Sequence, residues 1–195
     1  MSKGEETRRT ILRQALELSS EVGLEGLSFG VLARRAKMSK SGLYAHFDTK
    51  EMLQCQVLDA AAARFIDVVL SPALKQPRGL PRVRTLFAQW LKWEREELAG
   101  GCPFVAAAAE FDDRPGAVRD HLAGHLLDML SAVARAAQIA VQEGHFRADL
   151  DPEQFAYELW AVLLAYHQYQ RLLDKADAGA RAQAGFEGLV RAASA

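Results

Sequence analysis

Eight residues in a stretch of twenty-three could together grip a nucleic acid: Ser28, Ser39, Lys40, Ser41, Gly42, Tyr44, His46 and Lys50. Lys40, Tyr44 and Lys50 carry the donors best suited to backbone oxygens of DNA, where most protein–DNA hydrogen bonds go. Ser39, Ser41 and Gly42 are small, so a helix beginning there can bring its N-terminus close to a phosphate or a groove wall. Free N–H groups and the helix dipole favour an anion at that end. Tyr44 can pack its ring while its hydroxyl reaches outward. For His46 two readings stand side by side, a contact to backbone or base edge and a partly buried ring bonded within its own domain.

These side chains need two short helices and a tight turn to present them. Phe29, Leu32, Ala33 and Ala36 fall at i, i+3, i+4 and i+7, which is one helical face. Ser28 suits the N-cap of that helix and Ser39 the N-cap of the next. Met38 is the apolar residue of the turn, and Leu43 with Phe47 forms the buried side of the second helix. This is the format of a helix-turn-helix, whose second helix enters the major groove. Spacing alone favours DNA binding only modestly, because two short helices in any α-protein can show it.

Residues 7–53 add more specific detail. Ile11-Leu12 and Ala15-Leu16 precede Gly23, and Leu32-Ala33 and Ala36 follow. The run from Met38 to Phe47 contains Gly42-Leu43-Tyr44-Ala45-His46-Phe47, and Lys50-Glu51 with Leu53 closes the segment. This pattern resembles the DNA-binding domain of the tetracycline-repressor (TetR) family of bacterial transcription regulators. The resemblance implies that Ser28 touches phosphate and that Ser39, Lys40 and Ser41 lie at or in the major groove. It also implies that Tyr44 and His46 contact backbone or base edges and that Lys50 grips a phosphate. Two positions depart from the family pattern. Lys37 stands where a glycine or small residue is usual and requires a left-handed or altered turn. Ser19 stands where a bulky apolar residue is common.

Composition agrees without deciding the matter. The chain has 195 residues, half of them hydrophobic, and a formal net charge of −1. Residues 1–50 hold nine Lys and Arg against six Asp and Glu, while the remainder holds fifteen against nineteen. A basic head on an acidic body suits a protein that docks one end onto DNA. No stretch is apolar enough to span a bilayer, and the N-terminus lacks a signal peptide's apolar core, so a cytoplasmic protein is expected. Cys55 and Cys102 form no Cys-x-x-Cys motif and read as core thiols rather than a redox pair. A Gly-rich phosphate loop, a Gly-x-Ser-x-Gly elbow and a recognisable carboxylate pair are all missing, so no catalytic residue and no cofactor are expected.

The fold class expected is all-α: an N-terminal three-helix DNA-binding domain over residues 1–48 and a helical ligand-binding and dimerisation domain over 49–195. The first helix should cover 5–22, with Gly23 as a left-handed C-cap. A fourth helix, opened by Asp48 and Glu51, should run to about Leu70 and stop at Ser71-Pro72. Further helices are expected from the loop 76–81 to about Leu98, over Phe104–Phe111, and from the turn 112–116 to near Gly144. Another should start at Asp151, with Pro152 at its first position and Gln154 closing a capping box, and a last one should cover about 177–193.

In the resembling family the body binds a small ligand and dimerises. Phe155, Leu159, Val162, Leu163 and Leu173, continued by Phe186, Leu189 and Val190, offer an apolar face for a homodimer, although monomer core accounts for the same residues. Phe65, Phe87, Trp90, Trp93, Phe104, Met129, Tyr166 and Tyr169, with His125 as a polar partner, could line a pocket for an unknown small molecule. Glu94, Gln138 and His167 are further polar candidates, and ordinary aromatic core is the competing reading. His121 and His125 share a helical face at metal-ligand spacing, with Glu110, Asp112 or Asp113 nearby in sequence. No further His or Cys stands at ligand spacing, so no metal is expected. His145 is expected at a helix end where positive charge is favoured. The function expected is a ligand-responsive repressor acting as a homodimer on a palindromic double-stranded DNA operator. The alternatives are an activator and a small-molecule-binding adaptor whose head no longer reads DNA.

Overall fold

The computed structural model describes residues 3–195, so the first two residues of the expected reading head lie outside it. Helix α1 covers Lys3–Val22, α2 Phe29–Ala36, α3 Lys40–Tyr44 and α4 Lys50–Phe65. A π-helical turn, Ile66–Leu70, joins α4 to α5, Ser71–Leu74. Then come α6 over Leu80–Lys92, a second π turn over Trp93–Glu97, α7 over Pro103–Phe111 and α8 over Ala117–Gln142. Helices α9, Pro152–Arg171, and α10, Ala178–Ala193, complete the chain. Among the described residues the only β pairing is an isolated bridge between Phe146 and Ser194. The molecule is all-α.

The helix boundaries follow from capping chemistry. Gly23 takes φ +80° and ends α1, the left-handed geometry that glycine adopts without a Cβ penalty. Asp151 accepts the N–H groups of Glu153 and Gln154, with Pro152 opening α9. Gln154 does not close the box, because its amide donates to Glu158 at 2.8 Å instead. Helix α4 is capped by Thr49, which accepts from the Met52 N–H at 3.0 Å, and not by Asp48.

Ser71-Pro72 does not stop the fourth helix. In a regular α-helix the Pro72 ring would press on the carbonyl four residues back. The π turn widens the backbone there, and Ser71 N–H bonds the carbonyl of Ile66, five residues back. Helical structure therefore continues through Pro72 to Leu74.

The contacts group into two compact units. One takes in the chain to Arg64 together with Leu98–His125. The other takes in Phe65–Glu97 and Leu126–Ala195. In the first, Ile11, Leu27, Leu32, Leu43, Phe47, Leu53 and Val57 form the core. Ser19 is buried with its hydroxyl on the Leu16 carbonyl, 2.9 Å. Small residues are needed on this side of α1, since the Gly100 N–H donates to Ser20 Oγ at 3.1 Å and a Cβ on Gly100 would fall 1.5 Å from the Ser20 carbonyl oxygen. In the second unit, Phe87 stacks on Phe186 at 4.0 Å and Phe146 packs on Phe155 at 5.2 Å. Gly185 lets α10 approach Val162 of α9, where a Cβ would meet a methyl at 3.4 Å. His145 sits against the start of α6, where its Nδ1 accepts the Leu80 N–H at 3.3 Å. His145 therefore stands at a helix end as expected, its N–H bonding the Ala140 carbonyl of α8 at 2.9 Å, while its ring caps the start of α6.

Candidate functional site

The apolar sides of α2 and α3 lock the reading head from within. Phe29 and Leu32 of α2 are buried, and Leu43 and Phe47 are fully enclosed. Lys37 takes φ 53°, ψ 41°, and its N–H bonds back into α2. The lysine therefore occupies the left-handed turn that the sequence pattern requires, at a cost glycine would not carry. Ser28 caps α2 by accepting the Val31 N–H at 3.3 Å, and Ser39 caps α3 by accepting the Gly42 N–H at 3.0 Å. A Cβ at Gly42 would lie 3.2 Å from that Ser39 hydroxyl.

With the apolar residues inside, the polar ones face out. Ser39, Lys40, Ser41 and Tyr44 are exposed, while Ser28, Gly42, His46 and Lys50 are half-buried. The Tyr44 ring packs on Phe29 with centroids 4.3 Å apart, and the residue remains 52% exposed. His46 lies beside Phe47, ring centroids 6.3 Å apart. Ser28, Gly30, Lys40, Tyr44 and Lys50 converge on a cleft of about 440 Å³. Asp48 and Thr49 line the same cleft, so its hydroxyls, phenol and two ammonium groups stand beside one carboxylate, and the donors outnumber it as a surface for an anionic backbone.

Lys50 has a second attachment. Its Nζ donates to the Glu25 carbonyl at 2.7 Å and meets the Glu25 carboxylate at 3.2 Å. This hydrogen bond, with the positive charge behind it, holds the Glu25 carboxyl below its ordinary range. The same loop is tied again from α4 and from one further helix. Gln54 of α4 donates to the Leu24 carbonyl at 2.8 Å, and Glu110 of α7 accepts the Glu25 N–H at 2.7 Å. A Cβ on Gly23 would collide with Glu110 Oε1 at 2.0 Å. Sequence reasoning missed this function of Glu110 and Gln54, because nothing local marks a partner 85 residues away.

Elsewhere the aromatic residues divide. Phe65 meets Trp90 and Trp93 edge-on at 4.7 and 5.5 Å, and Trp160 lies 5.9 Å from Trp90. Phe65, Phe87, Trp90, Trp93, Met129 and Tyr166 are all buried in the second unit. Burial pushes the Tyr166 phenol above its ordinary range. Phe104 and His125 belong to the first unit, with rings 6.0 Å apart. Buried Glu94 bonds His167 Nδ1 at 2.7 Å. The indole nitrogens of Trp90 and Trp93 are buried with no hydrogen-bond partner among the described residues. A separate cavity of about 240 Å³ lies between α9 and α10, lined by Tyr166, Tyr169, Arg181 and small residues. Gln138 faces another hollow, beside Arg135 and Glu153.

The apolar face expected for a dimer is largely internal. Phe155, Leu159, Leu163, Phe186 and Val190 are 3% exposed or less in the single chain. They have no surface left to give a partner, Phe155 packing on Phe146 and Phe186 on Phe87 of α6. Val162 and Leu189 are half-buried, and Leu173 is exposed. The outward stripe of α9 consists of Tyr157, Ala161, Ala165, Gln168 and Leu172 instead.

Cys55 and Cys102 form no disulfide. Burial, reinforced by Asp59 and Glu51, pushes the Cys55 thiol up, which opposes thiolate chemistry. Among the described residues no helix is long and apolar enough to cross a membrane.

Together, an outward-facing helix-turn-helix and an aromatic helical body define a DNA-binding transcription regulator. Residues 11–54 match the family profile "Bacterial regulatory proteins, tetR family", and residues 79–186 match "Tetracyclin repressor-like, C-terminal domain". The chain belongs to the tetracycline-repressor (TetR) family. Its fold is similar to that of a TetR transcriptional regulator from Chloroflexus aurantiacus J-10-FL, with TM-score 0.86 and 23% identity over 98% of this chain and 96% of that one. A TetR-family regulator from Cytophaga hutchinsonii gives TM-score 0.86 at 19% identity, covering 100% and 98% of the two chains. AibR, solved in complex with isovaleryl coenzyme A and operator DNA, gives 0.73 at 22% identity, covering 94% and 96%. No curated protein matches by sequence.

Proposed function

We propose that this regulator is a cytoplasmic, ligand-responsive repressor that binds a palindromic operator as a homodimer. The observation that carries the reading is the convergence of Ser28, Lys40, Tyr44 and Lys50 on one open cleft beside the capped start of α3. Ser39, Lys40 and Ser41 approach the groove; Tyr44, His46, Lys50 and Ser28 hold the backbone. Residues 1–48 read DNA, and residues 49–195 bind ligand and dimerise.

One head reads only a few base pairs. Two heads about one DNA turn apart, roughly 34–36 Å, read a palindrome. The partner packs on the outward stripe of α9, where Tyr157 and Leu172 are 68% and 75% exposed. The small molecule enters among Phe65, Trp90, Trp93 and Tyr166. Two buried indole N–H groups there are donors in search of an acceptor, a costly state for groups removed from water. AibR's binding of an acyl-coenzyme A and an operator is the precedent for a body that takes a ligand while the head takes DNA.

Ligand binding reaches the head through Gln54 and Glu110, which hold the Leu24–Glu25 loop. It lowers DNA affinity only to the extent that the ligand prefers the released arrangement. The test is a gel shift with footprinting on the DNA upstream of the protein's own gene, repeated with Tyr44→Ala. Protection of two half-sites by the native chain, weakened in the variant, supports the reading. Equal binding by both proteins would remove the α3 face from the interface.

A further inference from the structure

We infer that Asp59, His121 and His125 form a divalent transition-metal site that clips α4 to α8. His121 and His125 stand one turn apart on α8, and the chain brings Asp59 of α4 to them across 62 and 66 residues of sequence. Both Nε2 atoms aim at the same carboxylate oxygen, His121 at 2.7 Å and His125 at 3.0 Å. One donor atom from each residue lies within 4.8 Å of the other two. The imidazole rings meet edge to face, centroids 4.8 Å apart.

The spacing within this cluster is close to what an ion needs. Bonds of about 2.0–2.1 Å to zinc separate neighbouring donors by roughly 3.0 Å in octahedral and 3.4 Å in tetrahedral geometry. Asp59 and His121 keep enough exposure, 54% and 37% of their side chains, to turn and draw the three donors, all within 4.8 Å of one another, onto one ion. His125 is the anchored member, 19% exposed and backed by the Phe104 ring. Two imidazoles with one carboxylate suit zinc, nickel, cobalt or iron and do not suit calcium or magnesium, which take all-oxygen shells. Three protein donors leave coordination positions for water. The residues near His121 in sequence have other tasks: Glu110 holds the Glu25 N–H, and Asp112 accepts the Asp113 N–H. The site therefore rests on Asp59, which the histidine spacing alone could not indicate.

Its position gives the clip leverage. Helix α4 begins at Lys50, six residues beyond Tyr44, so restraining α4 restrains the exit from the reading head. The site stands on its own geometry and does not depend on the repressor reading.

The test uses the full chain, free of any affinity tag and stripped with chelator, titrated calorimetrically with zinc and, separately, with nickel. One ion per chain is expected, and Asp59→Asn should weaken binding at least tenfold. The double variant His121→Ala, His125→Ala should abolish it. At a zinc concentration about 100 times the dissociation constant, the melting temperature of the native chain should rise by about 5–10 °C, with no rise in the double variant. Cobalt should give a visible d–d band that Asp59→Asn alters, a signal that a merely hydrogen-bonded trio cannot produce. Failure of the native chain to bind either ion below millimolar concentration would overturn the inference, as would unchanged binding in the double variant.

Discussion

The reading head and the aromatic body handle their polar atoms in opposite ways. In the head, the apolar sides of α2 and α3 are sealed, and the donors Lys40, Ser41 and Tyr44 remain in water. In the body around Phe65, donors are buried, and two indole nitrogens have no acceptor among the described residues. Exposed donors keep their hydration until a partner displaces it, which suits a large polyanion approached from solvent. Buried unpaired donors lower stability until something supplies an acceptor, which suits a small molecule that enters. The same helical fold thus keeps donors in water in one region and buries them in another, the contrast on which the proposed DNA and ligand roles rest.

The largest effect should come from breaking the seal of the head. Phe47→Ala removes a fully enclosed ring and should cost about 3–5 kcal/mol of stability. Denaturant unfolding would measure it, and a loss under 1 kcal/mol would mean that the head does not depend on this core. Trp90→Phe keeps most of the packing and deletes one unpaired N–H. For a releasing ligand found by screening the protein–DNA complex, its potency should fall about tenfold, the worth of one buried hydrogen bond. DNA affinity without ligand should stay within about twofold. An unchanged response would move the ligand to the cavity between α9 and α10.

Smaller effects separate the head's own donors. Lys40→Ala should lower the slope of log K against log salt by about 0.9, the share of one phosphate. Lys50→Ala should do the same if its ammonium leaves Glu25 for the DNA. If Lys50 only holds the loop, the slope should not move and stability should fall by less than about 1 kcal/mol, as for an exposed ion pair.

The smallest effect is one of pH. The Glu25 carboxyl is held below its ordinary value of 4.5, chiefly by the hydrogen bond from Lys50. A folded value below the unfolded one adds stability above about pH 4.5 and loses it as pH falls through the folded value. Lys50→Ala should flatten that acid limb in thermal melts between pH 3 and 6. An identical limb would show that Lys50 does not set the Glu25 titration.

Much of the head was legible because its signals are local. Ser28 and Ser39 as caps and Leu43 with Phe47 inside follow from spacing within ten or so residues, while the left-handed turn at Lys37 was one of two readings that the family resemblance implied. The body was legible as helices, yet its surfaces were not. An apolar stripe on α9 has the same pattern whether it is buried within the chain or meets a second one, so Phe155, Leu159 and Leu163 pointed to a dimer interface and proved to be core. Pro72 predicts a helix end by its local sterics, and only the π turn at Ile66–Leu70 avoids it. Glu110, Gln54 and Asp59 act across tens of residues, and no periodicity announces them.

The central claim is that two copies of the α3 face read one palindrome. Selection of binders from a random DNA pool by the purified native chain, followed by sequencing, tests it. Two inverted half-sites at a fixed separation should be enriched, and Lys40→Ala with Tyr44→Ala should lose the enrichment. Recovery of no common sequence, or of a single half-site without its inverted copy, would contradict it.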